Sequence, residues 1–257
     1  MELGLQDKVA IITGGSQGIG KATAIRLAAE GAAVVIAARG MERLAEVEQA
    51  IRAAGGKALA VAQDISTEAG CVALVEAAVS AFGRLDILVN NAGTSATGAF
   101  ESVTDATWQA DFDLKLFAAV RLSRLAIPHM KRQDGGRIIN LTAIAAKQPR
   151  AGSMPTSVTR AAGLALTKAL SKELAPENIL VNTVCIGLVR AGQHEARAAR
   201  TGTDVETLYA NMAKDIPLGR VGDAEEAANV ITFLASSAAS FVTGTSINID
   251  GGASAVL

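Results

Sequence analysis

Thr13-Gly14-Gly15-Ser16-Gln17-Gly18-Ile19-Gly20 decides how this chain reads. Four apolar residues, Val9 to Ile12, precede it and read as a strand. It runs into a helical pattern from Ile19 to Glu30, which Gly31 closes as a C-cap. Gly14, Gly18 and Gly20 therefore lie between a strand and a helix. Without Cβ atoms, such a turn lets a pyrophosphate approach the backbone N–H groups and the positive end of the helix dipole. A glycine-rich run alone is as compatible with an ordinary turn. Its place at the strand-to-helix junction of a βαβ unit gives it weight.

From that turn the pattern alternates. Strands are expected at Ala33–Ala37, Ala58–Ala62, Ile87–Val89, Arg137–Leu141, Leu180–Ile186 and Ser246–Ile249. Helices are expected at Glu42–Ala54, Thr67–Phe82, about Asp105–Lys131, Thr156–Pro176 and Glu225–Leu234. Strands alternating with helices through short glycine-bearing turns imply right-handed crossovers and a doubly wound parallel sheet with helices on both faces. No linker or composition shift divides the chain, so residues 1–257 read as a single α/β domain. The segment 188–215 interrupts the alternation with charged residues. In a doubly wound sheet, ligands bind beyond the C-terminal strand ends, and a polar excursion after the sixth strand reads as a lid or, more plainly, as a solvated helix pair.

Composition agrees and excludes. Half of the residues are hydrophobic but only 3% are aromatic, so the core must be aliphatic, as a buried parallel sheet requires. A net charge of -1 gives no reason to expect nucleic acid or an anionic membrane surface. No apolar run approaches the ~20 residues of a membrane span, and the opening residues lack the zones of a signal peptide. Two cysteines make no disulfide framework, and Cys185 inside an apolar strand reads as a core residue, so the expected setting is the cytoplasm. No metal site is expected.

Further motifs follow other strands: Asp64-Ile65 after the third, Asn90-Asn91-Ala92-Gly93 after the fourth, and Asp250-Gly251-Gly252 near the end. Asp64 could equally cap a helix, and Asn90 could be a structural turn residue. The second strand ends Ala37-Ala38-Arg39, with no acid to accept from a ribose 2′-hydroxyl and an arginine available for a 2′-phosphate. Taken with the glycine-rich turn, these motifs resemble the classical short-chain dehydrogenase/reductase family over nearly the whole chain. The divergent branch that resembles 3-oxoacyl carrier-protein reductases is the nearest in character.

The resemblance implies a cofactor site made by Gly14, Ser16, Gln17, Gly18, Ile19 and Gly20 with Arg39. It also implies Asp64 and Ile65 at the adenine, Asn91, Ala92 and Gly93 at the ribose, and Arg160, Gly187 and Val189 toward the nicotinamide. NADP(H) is expected over NAD(H), although Gln17 is not the basic residue many NADP-dependent relatives carry. A homotetramer is implied through the two long helices and through the last strand with the Glu225 helix.

The family works with an Asn, a Ser, a Tyr and a Lys. The matching positions here are Lys115, Ala143, Thr156 and Arg160. A tyrosine of pKa ~10 beside a cation can exchange protons near neutrality, whereas a threonine hydroxyl can only hydrogen-bond. Arg160 keeps the charge and is no practical base. Lys115, near Arg160 and partly buried, is the expected source of proton or charge, unless its side chain runs to solvent or pairs with Asp111 or Asp113. Thr142, one residue from Ala143, points to the other side of its strand. Ala143, His194 and Tyr209 are the candidates for contact with substrate, although Tyr209 also reads as a packing residue of the lid and His194 as an exposed one. The expected function is an NADP(H)-dependent oxidoreductase acting on a carbonyl/alcohol pair with an atypical proton-transfer site. The alternatives are a cofactor-binding protein without redox turnover and a non-redox enzyme reusing the pocket.

Overall fold

The computed structural model describes residues 2–257, apart from the side chains of residues 193–197. Seven strands form one sheet: β1 (Val9–Thr13), β2 (Ala33–Ala38), β3 (Lys57–Ala62), β4 (Ile87–Asn90), β5 (Gly136–Ala143), β6 (Ile179–Ile186) and β7 (Ser246–Ile249). Their order is β3-β2-β1-β4-β5-β6-β7, and every pairing is parallel. The chain direction across the sheet reverses between β1 and β4, and the crevice at that switch lies beyond their C-terminal ends.

The apolar runs of the strands bury both faces. Ile12, Val34 and Ile36 pack under α1 (Gly18–Ala29), α2 (Met41–Ala53) and α9 (Ala224–Ala235), whose Leu27, Leu44 and Ile231 are fully buried. Their neighbours Ile11, Val35, Leu88 and Ile138 face the other way. They meet Leu74 of α3 (Glu68–Phe82), Leu122 of α5 (Ala118–Lys131) and Leu174 of α6 (Thr156–Leu174). Period-two alternation thus supplies two aliphatic cores from one set of strands.

Local chemistry sets the helix ends. Thr67 caps α3 by accepting from Gly70 N, and Gly83 closes the helix in the left-handed region. The cap is Thr67 and not Asp64.

Two features depart from the sequence reading. The expected single helix from Asp105 to Lys131 is divided into α4 (Asp105–Phe112), a π-helical turn at Asp113–Phe117, and α5. A short antiparallel pair, Thr97–Gly98 with Met154–Pro155, also joins the loop after β4 to the start of α6.

The segment after β6 folds into α7 (Gly192–Thr201) and α8 (Val205–Ala213). Tyr209, Ile216 and Val221 form a small core of their own beneath it. No helix is long and apolar enough to cross a membrane among the described residues.

Candidate functional site

The glycine-rich turn is held in shape by the neighbouring strand end. The Thr13 hydroxyl donates to Val89 O (3.3 Å) and accepts from Asn91 N and Ala92 N, both at 3.0 Å. Asn91 Nδ2 donates to Thr13 O (2.7 Å) and Gly14 O (3.2 Å). Asn91 therefore braces the turn, while Asn90 is buried and donates to Asn140 Oδ1 at 2.8 Å. Gly20 is required by a close approach, because a Cβ there would lie 2.2 Å from Gly14 O. The outer side of Gly18 is open, with nothing within 4 Å of where its Cβ would stand. The Gln17 side chain makes no capping hydrogen bond to the first turn of α1.

From this turn a cleft of about 960 Å³ runs past Ala38, Arg39 and Asp64 to Ala92 and Gly93, and on to Asp111 and Leu114 of the α4 region. At one end Arg39 is exposed beside the Asp64 carboxylate. Asp64 accepts from the Ser66 hydroxyl (2.7 Å) and Ser66 N (3.0 Å), and these bonds hold its carboxyl below the usual range. Ile65 is buried in the core below. A second cation stands here that sequence reasoning missed. Arg43, in the first turn of α2, donates to Gln17 Oε1 at 2.8 Å. Its one sequence signal was its position four residues after Arg39.

The other end is a buried cluster of charge. Lys115 sits on the π-helical turn with its side chain 1% exposed. It pairs with Asp111, 2% exposed, in a short charge-assisted hydrogen bond. Its ammonium also donates to Thr156 Oγ1 at 2.8 Å. Of the two acids weighed in the sequence, Lys115 takes Asp111. Asp113 goes to Gln109 (2.9 Å) and Arg121 (3.3 Å). The Thr159 hydroxyl reaches Asp111 Oδ2 from α6 at 2.6 Å. Burial pushes the Lys115 ammonium down to about 8, Arg160 contributes in the same direction, and Asp111 opposes both.

Thr156 has no hydroxyl capacity left. It donates to Ala96 O (2.8 Å) and accepts from Ala96 N (3.0 Å) and Lys115. One proton and two lone pairs are all a threonine has. The expected substrate-orienting role gives way here to an anchoring one, tying the loop after β4 to α6.

Arg160 donates Nη1 to Leu141 O, and its buried Nε has no hydrogen-bond partner among the described residues. A Cβ on Gly93 would come 2.5 Å from its Nη2, so glycine is what lets the guanidinium lie against that turn. Burial lowers Arg160 to about 10, with Asp111 opposing. Ala143 ends β5 with its side chain half-buried. Thr142 turns away, its hydroxyl beside Val184 O and Cys185 Sγ.

The lid residues divide. Gly192, at the start of α7, faces Gln17 across the glycine-rich turn. Gly187 lies against Asp250, with its N–H on Ile249 O, and Val189 is buried and bridged to Gly222. Tyr209 is 3% exposed and packs on Ile216 and Val221 under the Arg190 guanidinium, so its ring belongs to the lid core rather than to the cleft wall. His194 lies in α7, and its side chain falls outside the described residues.

This geometry has clear counterparts. Residues 14–254 match the enoyl-(acyl carrier protein) reductase family. The chain is 36% identical to the short-chain reductase protein NovJ of Streptomyces niveus, over 96% of this chain and 94% of that protein. It is 34% identical to the 3-oxoacyl-[acyl-carrier-protein] reductase FabG of Aquifex aeolicus, over 98% and 99%. The L-sorbose reductase of Gluconobacter frateurii, solved with NADPH and L-sorbose, superposes with a TM-score of 0.95 at 37% identity over the whole of both chains.

Proposed function

Because the chain belongs to the classical short-chain dehydrogenase/reductase family, we propose that it is an NADPH-dependent carbonyl reductase whose usual tyrosine-lysine chemistry is replaced by a buried lysine-arginine site. The observation that carries this reading is the continuous cleft. It runs from the exposed Arg39 at one end to Asp111, the buried partner of Lys115, at the other.

The residues fit the dinucleotide. The open side of Gly18 and the uncapped first turn of α1 would receive the pyrophosphate. Arg39 and Arg43 would receive a 2′-phosphate, and no acid stands at Ala38 to favour a free 2′-hydroxyl. Asp64 with the Ile65 backbone would hold the adenine, and Asn91, Ala92 and Gly93 would line the ribose. Gly187 and Val189 would flank the nicotinamide, with Arg160 toward the ribose beside it. The dinucleotide, when bound, supplies or accepts hydride.

Below about pH 8 Lys115 would supply both positive charge and a proton to a carbonyl oxygen that gains charge. Arg160 adds a second charge that does not titrate near neutrality. Thr156 holds both Lys115 and the Ala96 loop in place. The substrate is a small carbonyl compound or alcohol. We further propose a homotetramer through α4–α6 and through α9 with β7, an edge strand whose residues are all half-buried.

The test is a fluorescence titration with NADPH and NADH, followed by turnover on a panel of sugar ketones and 3-oxoacyl thioesters. Tighter NADPH binding with NADPH oxidation on one of these classes supports the proposal. NADPH binding without oxidation on any of them would instead favour a cofactor-binding protein, a reading to which the saturated Thr156 hydroxyl lends support. Substrate conversion without oxidation would favour a non-redox enzyme.

A further inference from the structure

We infer that Asp111 is the positioning residue of this site: it keeps Lys115 protonated at neutral pH and fixes the direction of its ammonium. The inference rests on the proposed role of Lys115 and adds what governs that role.

The argument is one of competing effects. Lys115 is as buried as a core leucine, and desolvation strongly disfavours its charged form. The group facing it from α6 is Arg160, a like charge that disfavours it further. Cys185, on β6 behind Arg160, has its thiol pushed up by burial and adds no anion near neutrality. Asp113, two residues away, is turned to Arg121. Asp111 is thus the carboxylate that opposes these effects. Two cations and one anion leave the cluster with one net positive charge.

Geometry makes Asp111 a director as well as a counter-charge. Its two oxygens are divided between elements: Oδ1 takes Lys115 on the same helical stretch and Oδ2 takes the Thr159 hydroxyl on α6. The carboxylate is therefore clamped from both sides and cannot rotate away. Lys115 spends one N–H on this fixed acceptor and a second on Thr156, which is fixed in turn by both polar atoms of the Ala96 backbone. An ammonium with two of three donors pinned has one direction left for the third. The π-helical turn at 113–117 widens the helix where this happens and lets Lys115 reach α6 while staying paired to Asp111 one turn back.

The test reads Lys115 directly, without substrate. In protein labelled with [13Cε]-lysine, the Lys115 resonance is identified by its loss in Lys115→Met and followed against pH by NMR. The expected midpoint is near 8 in the natural protein and at least one pH unit lower in Asp111→Asn. An unchanged midpoint in a folded Asp111→Asn overturns the inference. A second reading needs no substitution at Asp111. In protein labelled at aspartate carboxyls, one carboxyl should show an inflection at the same pH as Lys115, and that inflection should vanish in Lys115→Met. Its absence also overturns the inference, even where Asp111→Asn does not fold. Neither reading depends on turnover. A silent substrate panel would remove the proposed reductase and leave this assignment standing, and an active panel with an unmoved midpoint would do the reverse.

Discussion

Lys115 and Thr156 touch each other, yet their substitutions should have opposite signatures. Lys115→Met removes the titrating charge while its methylene stem keeps its packing, so turnover should be lost with NADPH affinity changed less than about threefold. Thr156→Val removes a hydroxyl that serves Lys115 and both polar atoms of the Ala96 backbone. Leaving the buried Lys115 and the partly buried Ala96 groups unpaired should cost about 1–3 kcal/mol in urea unfolding, with a smaller effect on the rate. A fatal rate effect from Thr156→Val with Lys115→Met harmless would move the chemistry to Thr156. Arg39→Asp should turn cofactor preference toward NADH, read as the ratio of the two dissociation constants. The pH profile follows from the protonated form of Lys115 being the acid. kcat/KM for carbonyl reduction should be flat below about pH 8 and fall tenfold per unit above it.

Elements rather than residues were the legible part of this sequence, and the reasons are physical. Strand–helix alternation is written in local periodicity, so the seven strands, their parallel direction and the glycine-rich junction could be read from it, while the strand order could not. The π-helical turn could not, because i→i+5 bonding is chosen by what α4 and α5 pack against and leaves no mark in composition. The Thr97–Gly98 and Met154–Pro155 pair is two residues long and joins distant segments, which no pattern marks. At the site, the i,i+4 spacing made Asp111 a legible partner for Lys115. Asp113 lies nearer in sequence but off that spacing, and its oxygens go to Gln109 and Arg121. Thr159 was illegible because its hydroxyl acts across a helix–helix contact. The glycine-rich element itself carries a sharp expectation. Gly20→Ala would drive a Cβ into Gly14 O, so the turn must open. NADPH binding should weaken at least tenfold while the far-ultraviolet circular dichroism is retained. Unchanged affinity would mean that this turn is not where the pyrophosphate lies.

At the scale of the whole molecule, the buried charge cluster is a load on stability, and its sign can be worked out. Lys115 titrates at about 8 in the folded chain against 10.5 for an ordinary lysine, so between those values the unfolded chain holds more protons. Stability rises with pH wherever that is so. The penalty of charging Lys115 is therefore fully present below about pH 8 and is relieved as pH climbs toward 10.5. A shift of this size corresponds to roughly 3 kcal/mol at its limit. Arg160, lowered to about 10, adds to the same trend only above that pH. The variant Lys115→Met/Asp111→Asn lacks both members of the pair and their desolvation cost, and a buried pair replaced together is often neutral or stabilising. Denaturant unfolding of both proteins at pH 7.5 and 9.5 should show the natural protein gaining on the variant as pH rises. Light scattering alongside should give a tetramer for both, so that the comparison is not distorted by dissociation. A difference that stays constant from pH 7.5 to 9.5 would mean that Lys115 titrates elsewhere, and with it would go the acid proposed for this site.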